Sequence, residues 1–290
     1  MTVSLGMCAM TDLTTMGLGW PSGSQARECD KGEENMVSGY DQTVSPDPVT
    51  AAVLVIGDEI LSGRTKDKNI GTIAEHLTSI GIDLMEVRVV GDRHAAIVEA
   101  LNALRTCYDY VLTTGGIGPT HDDITADAIA DALGVPLEVN PEALDLIAAH
   151  AARRGVELTE MRKRMARIPH GARLIANSIS AAPGFMVGNV VVMASVPSIM
   201  EVMLANVTPH LRTGARMHSR AIDLDRPEGD VAEILAAHQL AHPDVAMGSY
   251  PRFQDGRPQV QLVLRARDPA HLDTVTAALA DEITRKGLMR

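Results

Sequence analysis

The residues best suited to chemistry lie in one glycine-rich segment, Thr114-Gly-Gly-Ile-Gly-Pro-Thr-His-Asp-Asp-Ile-Thr125. Three glycines within four positions let the backbone approach a ligand closely and turn several N–H groups into one concavity. A helix predicted to begin near Asp122 adds the positive end of its dipole, so the loop is suited to hold a phosphate. It has neither the lysine of a Walker loop nor the Gly-x-Gly-x-x-Gly pattern of a dinucleotide fingerprint.

Carboxylates at two other predicted strand ends are expected to reach the same place. Gly57-Asp58-Glu59 follows the first strand and Gly91-Asp92 follows the second. These carboxylates and the two aspartates of the glycine-rich loop would repel a phosphate unless a divalent cation bridged the charges. Mg²⁺ is the first candidate, because it prefers carboxylate and phosphate oxygens. The predicted metal ligands are Asp58, Asp92 and Asp123, and Arg64, Lys66 and Lys68 supplement the positive charge.

Most of these residues also have a purely structural interpretation. Asp122 and Asp123 suit the dipole of a helix that begins there, with Thr120 as its cap. Asp92 suits an ordinary cap for the next helix. Asp58-Glu59 is harder to explain, because two charges directly after a buried strand need a reason to be there. Elsewhere, His238 and His242 are four residues apart, but Pro243 follows His242, so we expect solvation and not metal binding.

Alternating strands and helices position these loops. The apolar run 51–57 is typical of a strand buried on both faces, and strands over 82–90 and 109–114 alternate with amphipathic helices. This order predicts an α/β fold whose mostly parallel sheet carries helices on both faces. A hairpin pattern over 182–195 adds one antiparallel element. After residue 214 the order β-α-β-β-α predicts a small α+β domain.

Composition bounds the class of protein. We divide the chain into a disordered N-terminal extension (1–49), an α/β domain (50–213) and a small α+β domain (214–290). The net charge of −11 argues against a nucleic-acid partner. Apolar runs stay short of the roughly 18 residues of a membrane span, so no membrane partner is expected. The three cysteines form no disulfide framework and we expect no signal peptide, which favours the cytoplasm.

The segment 51–290 resembles the molybdenum-cofactor biosynthesis, or molybdopterin-binding, domain family, and within it the N-terminal domain of competence/damage-inducible protein A (CinA). The resemblance implies a three-layer α/β/α fold that binds molybdopterin or a related ligand and assembles as dimers or trimers. Two departures are Ser195, where the family commonly has glycine, and the turn 177–180. The motifs that carry the resemblance are Gly57-Asp-Glu-Ile-Leu-Ser-Gly63, Asn69, Val90-Gly-Asp92, the 114–125 loop, Pro169-His-Gly171, Asn177, Ala182-Pro-Gly-Phe185, Val196-Pro-Ser198 and Met200-Glu201.

The resemblance also implies roles for particular residues. Asp92 and Asp123 match carboxylates that are functional in molybdopterin-adenylylating relatives, so they are the expected catalytic residues. CinA-type proteins and a domain of eukaryotic FAD synthases are linked to metal-dependent hydrolysis of nucleotide diphosphates such as ADP-ribose or FAD. The expected ligand-binding residues are Gly57, Asp58, Glu59, Thr114, Gly115, Gly116, Gly118, Pro119, Thr120, Asp122, Thr125, Pro183, Gly184, Ser195 and Pro197.

Our leading hypothesis is a binding protein for a pterin or nucleotide phosphate, because the loop predicts a ligand more directly than a reaction. Three alternatives stay open: a divalent-metal-dependent nucleotide pyrophosphatase, a molybdopterin adenylyltransferase and a non-enzymatic partner protein. CinA proteins often carry a C-terminal nicotinamide-nucleotide deamidase domain. This chain ends without one, so the resemblance implies no deamidation.

Overall fold

A computed structural model describes residues 48–254 and 256–289 of the chain. The extension predicted over 1–49 lies outside these residues, apart from Pro48 and Val49. The strands are β1 (Val49–Ile56), β2 (Ile82–Val90), β3 (Tyr110–Thr114), β4 (Leu137–Val139), β5 (Arg167–Pro169), β6 (Arg173–Ile175), β7 (Gly184–Val187), β8 (Val190–Met193), β9 (His218–Leu224), β10 (Ala246–Gln254) and β11 (Arg257–Ala266). The helices are α1 (Asp58–Leu61), α2 (Asn69–Ser79), α3 (His94–Arg105), α4 (Thr125–Leu133), α5 (Pro141–Arg153), α6 (Glu160–Lys163), α7 (Pro197–Val207), α8 (Ala232–Ala241) and α9 (Pro269–Arg285).

Within the described residues, the central sheet has six strands in the order β2-β1-β3-β8-β7-β6. Strands β2, β1, β3 and β8 run parallel, whereas β7 pairs antiparallel with both β8 and β6. This confirms the mostly parallel sheet with one antiparallel element. The short antiparallel pair β4–β5 was not predicted, because three residues are too few to show a period.

The buried strand β1 separates two helical layers. Leu54 and Ile56 belong to a core shared with α3, α4 and α5, whereas Val53 and Val55 belong to a core shared with α2 and α7. Alternate side chains of a strand point to opposite faces of the sheet, so a continuous apolar run is the sequence that this position requires. The three-layer arrangement is thereby confirmed.

The C-terminal residues form an α+β unit with its own core. Its sheet has the order β10-β11-β9, with both pairings antiparallel. Leu262 and Leu264 of the central strand pack with Leu272 and Leu279 of α9. Arg267 pairs with Asp83 of β2 at 2.5 Å. Of the helices in the described part of the chain, none has the length and apolar character needed to span a bilayer.

Candidate functional site

The predicted site lies where the strand order of the central sheet reverses. Strand β1 has β2 on one side and β3 on the other, so successive connections leave it in opposite directions. The register pairs Ile56 with Val90, Val55 with Thr114, and Thr114 with Met193. The four parallel strands therefore end at one edge of the sheet, and open α/β sheets bind their ligands in the crevice at such an edge.

The glycine-rich loop is held tightly against β1 and α4. Gly115 and Gly116 have φ angles of 107° and 66°, and a Cβ on Gly115 would lie 2.1 Å from the Ile56 carbonyl oxygen. The Thr125 hydroxyl donates to the Gly115 carbonyl at 2.9 Å, and the Thr125 N–H donates to the Gly116 carbonyl at 3.1 Å. Thr125 is fully buried, so it supports the loop from beneath.

A cleft of about 470 Å³ opens beside this loop. Asn69 and Ser195 join its walls, because the Asn69 side-chain nitrogen donates to the Ser195 carbonyl at 2.8 Å. Thr114 forms part of the floor. The Asn69 Oδ1 and Thr114 Oγ1 atoms are buried and have no hydrogen-bond partner among the described residues. The polar and charged residues that line the cleft are Glu59, Arg64, Thr65, Lys66, Asp67, Lys68, Asn69, Thr114 and Ser195.

The predicted acidic cluster forms around Asp92. The Asp58 N–H donates to Asp92 Oδ2 at 2.8 Å, and the absence of a side chain at Gly91 leaves room for the Asp58 carboxylate. Burial raises the pKa of Asp92; the Asp58 N–H opposes this rise, whereas the charges of Glu59, Asp58 and Asp122 add to it.

Asp123 faces a different recess. Its Oδ2 accepts hydrogen bonds from the Thr120 N–H at 2.8 Å and the Thr120 hydroxyl at 2.5 Å. A Cβ on Gly118 would lie 2.7 Å from the same oxygen, so this glycine makes room for the carboxylate. Asp123, Gly118 and Pro183 line a crevice of about 20 Å³, beside Arg164 and Arg167. That volume suits a single water molecule.

Two predictions about this loop are therefore wrong in detail. Helix α4 begins at Thr125 and not near Asp122, and no side chain caps it, so Thr120 is not a helix cap. Asp58, Asp92 and Asp123 do not form a group of ligand atoms that all lie within 4.8 Å of one another among the described residues. Asp58 and Asp92 meet, whereas Asp123 is held by the turn that precedes α4.

The remaining predicted residues surround these features. The Glu59 carboxylate folds over Gly57, where an added Cβ would lie 2.6 Å from it. Pro197 lines the cleft at the first turn of α7, and Pro119 is exposed. Gly184 lies against the Val192 carbonyl oxygen, 2.4 Å from an added Cβ, so its role is in the sheet.

Sequence reasoning missed Asn69 as a residue of the cleft. It appeared only as one of the motifs of the family resemblance. The available signal was a polar residue on the buried face of an amphipathic helix: Asn69 is 3 % exposed, like the apolar Ile73 and Leu77 of the same helix. A polar side chain in such a place needs a partner.

Comparison with known proteins agrees with this architecture. Residues 52–213 match the family model described as a probable molybdopterin binding domain, and residues 216–290 match the middle domain of FAD synthase. A protein of Pyrobaculum calidifontis is 35 % identical over 230 residues, which is 76 % of this chain and 88 % of the relative. A protein of Aeropyrum pernix is 34 % identical over 227 residues, with 75 % and 85 % covered.

A solved structure supports the same conclusion. The crystal structure of CinA from Thermoplasma acidophilum, described as having unknown function, superposes with a TM-score of 0.51 and 35 % identity. The match covers 55 % of this chain and 95 % of that one. The resemblance inferred from the motifs around Gly57, Asp92 and the 114–125 loop is thus confirmed. This chain belongs to the family of probable molybdopterin-binding domains and is similar to CinA.

Proposed function

We propose that the chain binds a phosphate-containing pterin or nucleotide in the cleft at the ends of β1, β3 and β8. The observation that carries this proposal is the pair of buried, unpartnered atoms Asn69 Oδ1 and Thr114 Oγ1. Each such atom costs about 1–3 kcal/mol when it is left without a hydrogen bond. A ligand that bonds to both would remove this cost, which is a physical reason for the two side chains to stand there.

The same cleft suits the phosphate end of such a ligand. Arg64, Lys66 and Lys68 line it and concentrate positive charge locally on a chain of net charge −11. Gly115 and Gly116 let the loop pack directly against Ile56 and Thr125, which fixes the position of Thr114 at the cleft. Molybdopterin fits this donor and acceptor set: Asn69 and Thr114 would hold its polar ring and the basic residues its phosphate.

A divalent cation fits the acidic cluster beside the cleft. Mg²⁺ is commonly held by one or two carboxylates together with substrate phosphates and water. Asp58 and Asp92 suffice for that role. This proposal replaces the three-carboxylate set, because Asp123 is already bonded to Thr120. A cation would supply charge neutralisation between the carboxylates and the phosphate.

The second candidate function is a divalent-metal-dependent nucleotide pyrophosphatase. The acidic cluster beside the cleft favours it, because carboxylates can hold a divalent cation that neutralises a diphosphate and orients an attacking water. In such a reaction the water oxygen bonds to one phosphorus, the bridging P–O bond breaks with the bridging oxygen leaving on the other phosphate, and a carboxylate of the acidic cluster that is not bound to the cation takes the water proton. The match of residues 216–290 to the middle domain of FAD synthase makes FAD a substrate to test, beside ADP-ribose.

One set of experiments tests both candidates. Purified protein is denatured and the supernatant is analysed for pterins and nucleotides by mass spectrometry. The native protein is then titrated calorimetrically with ADP-ribose and with FAD, and incubated with each plus Mg²⁺, Mn²⁺ or Co²⁺. Saturable binding without AMP release supports the binding protein, and AMP release supports the pyrophosphatase. Absence of both a released ligand and binding heat would exclude the proposed site.

The third candidate is molybdopterin adenylylation, for which ATP-dependent formation of an adenylylated pterin is the diagnostic product. We also propose a cytoplasmic homo-oligomer, dimer or trimer, built from an α/β domain over 50–213 and an α+β domain over 214–290. Light scattering on the eluted protein gives the subunit count. A monomeric mass at micromolar concentration would contradict the oligomer.

A further inference from the structure

Three potential metal ligands meet in the C-terminal α+β unit, away from the acidic cluster. His242 follows the end of α8, Asp244 lies in the loop before β10, and His271 lies in the first turn of α9. One ligand atom from each of them lies within 4.8 Å of the other two. The fold thus brings together two imidazoles and one carboxylate from two segments of the chain.

Both segments are held in place by hydrogen bonds outside the cluster. The Gln239 side-chain nitrogen donates to the carbonyls of His242 at 3.3 Å and Val245 at 2.9 Å. Its oxygen accepts the Met247 N–H at 2.8 Å. The loop that carries His242 and Asp244 is therefore clamped from within. A ligand set held this way loses little conformational freedom when a cation binds.

The second segment is fixed by the start of α9. Asp268 caps this helix, and its Oδ1 accepts the His271 N–H at 3.2 Å. On the other side, His238 stacks on His242 with ring centroids 6.1 Å apart and contacts Glu282 at 2.9 Å. The expectation that His238 is solvated is therefore wrong: its side chain is 11 % exposed and pairs with a carboxylate.

The Nε2 atom of His271 lies close to a carboxylate but makes no hydrogen bond with it. The His271 Nε2 lies 2.9 Å from Asp244 Oδ2, yet this buried nitrogen has no hydrogen bond among the described residues. The two groups are close without the alignment of a hydrogen bond. A cation held by both the imidazole and the carboxylate would give this nitrogen a partner.

We propose that His242, Asp244 and His271 bind a divalent transition-metal cation, with Zn²⁺ first. Imidazole nitrogen and carboxylate oxygen are ordinary zinc ligands, and three protein ligands leave a fourth tetrahedral position for water or another group. The carboxylate of Asp244 offsets part of the charge of the ion. The site is independent of the pterin or nucleotide cleft and stands whether or not that proposal holds.

The test uses full-length protein without a histidine tag, stripped with a chelator and titrated with ZnCl₂ by calorimetry. Wild type is compared with His271→Ala and with Asp244→Asn, which keeps the size of the side chain. We expect these variants to lose one zinc equivalent or to bind it at least about 100-fold more weakly, because even residues that only support a ligand are worth 10- to 100-fold. His150→Ala, a histidine on α5, is the matched control and should bind as wild type does.

A spectroscopic readout separates this site from other metal-binding groups. Co²⁺ added to wild type should give visible absorption bands that are absent in both variants and retained in Asp58→Asn/Asp92→Asn. Circular dichroism verifies that each variant is folded without metal. Equal Zn²⁺ stoichiometry and affinity in wild type, His271→Ala and Asp244→Asn overturns the proposal and leaves a plain Asp244–His271 ion pair.

Discussion

Replacing Thr114 by valine tests whether its hydroxyl serves ligand binding or the stability of the protein. Valine has nearly the shape of threonine and the same branching at Cβ, so the packing and strand preference of β3 are retained. Only the hydroxyl is lost, and in the protein alone that hydroxyl is buried without a partner. The substitution is therefore expected to stabilise the unliganded protein and to weaken ligand binding.

The magnitudes follow from the state of this hydroxyl. A buried polar group without a partner costs about 1–3 kcal/mol. Taking the low end, Thr114→Val should raise the free energy of unfolding by about 1 kcal/mol and Tm by about 2–4 °C. A hydrogen bond to the ligand is worth about 0.5–1.5 kcal/mol, so affinity should fall roughly 2- to 13-fold.

Thr113 provides a matched control in the same strand. Its hydroxyl is also buried and unpartnered among the described residues, but its side chain points to the other face of the sheet and does not line the cleft. Thr113→Val should give the same rise in Tm in a scanning calorimeter and leave the affinity for ADP-ribose with Mg²⁺ unchanged. If Thr114→Val binds ADP-ribose as tightly as wild type, the hydroxyl does not serve the ligand and the reasoning fails.

Three further predictions concern the loop and the acidic cluster. Because the pKa of Asp92 is raised in the folded protein, its ionised form opposes folding at neutral pH and the penalty disappears as pH falls towards 3.8. Asp92→Asn should therefore raise Tm slightly at pH 7, by about 1–2 °C after solvent screening, and this gain should shrink in acid; a gain independent of pH would contradict it. Gly116→Ala places a Cβ 2.1 Å from the Thr125 hydroxyl and should lower the free energy of unfolding, measured in urea, by about 2–3 kcal/mol. Gly63→Ala, at a similar φ but in open space, should lower it by only about 1 kcal/mol. Equal losses in the two variants would show that the clash with Thr125 has no effect. Asp123→Asn should leave any AMP release unchanged and Tm within about 2 °C of wild type, because Thr120 holds this carboxylate in a recess separate from the cleft. Loss of AMP release in this variant would place Asp123 in catalysis.

The layer architecture was predictable because its signals are local. The apolar run of β1 and the helical spacing of α2 and α3 each depend on neighbours within one element. The strand limits of β2 agree with the prediction at both ends, Ile82 and Val90. Once the strands are parallel and joined by helices, their carboxyl ends meet at one edge. For this reason the association of Asp58 with Asp92 could be expected from the sequence.

The parts that could not be predicted depend on direction and on distant pairing. The sequence shows two adjacent aspartates but not that Asp123 turns back to Thr120, which separates it from Asp92. The histidine cluster needs His271, which lies 29 positions after His242 and approaches it only because α9 packs beside α8. A period or a spacing carries no information about such a contact.

The hydrogen bond between Asn69 and Ser195 joins residues 126 positions apart. It fixes the orientation of the Asn69 side-chain amide. Because one N–H of the amide is donated to the Ser195 carbonyl, the orientation of the side chain is set, and its Oδ1 is left as an unpartnered acceptor. Inorganic phosphate and pyrophosphate are mostly ionised at neutral pH and have few protons to donate to Asn69 Oδ1, so they should compete poorly with the ligand. A ring N–H or a sugar hydroxyl can donate a hydrogen bond to this oxygen. Selectivity among phosphate-containing ligands then arises from the pterin or nucleoside part of the ligand. Serine in place of the common glycine preserves this discrimination, since the main chain alone orients the amide.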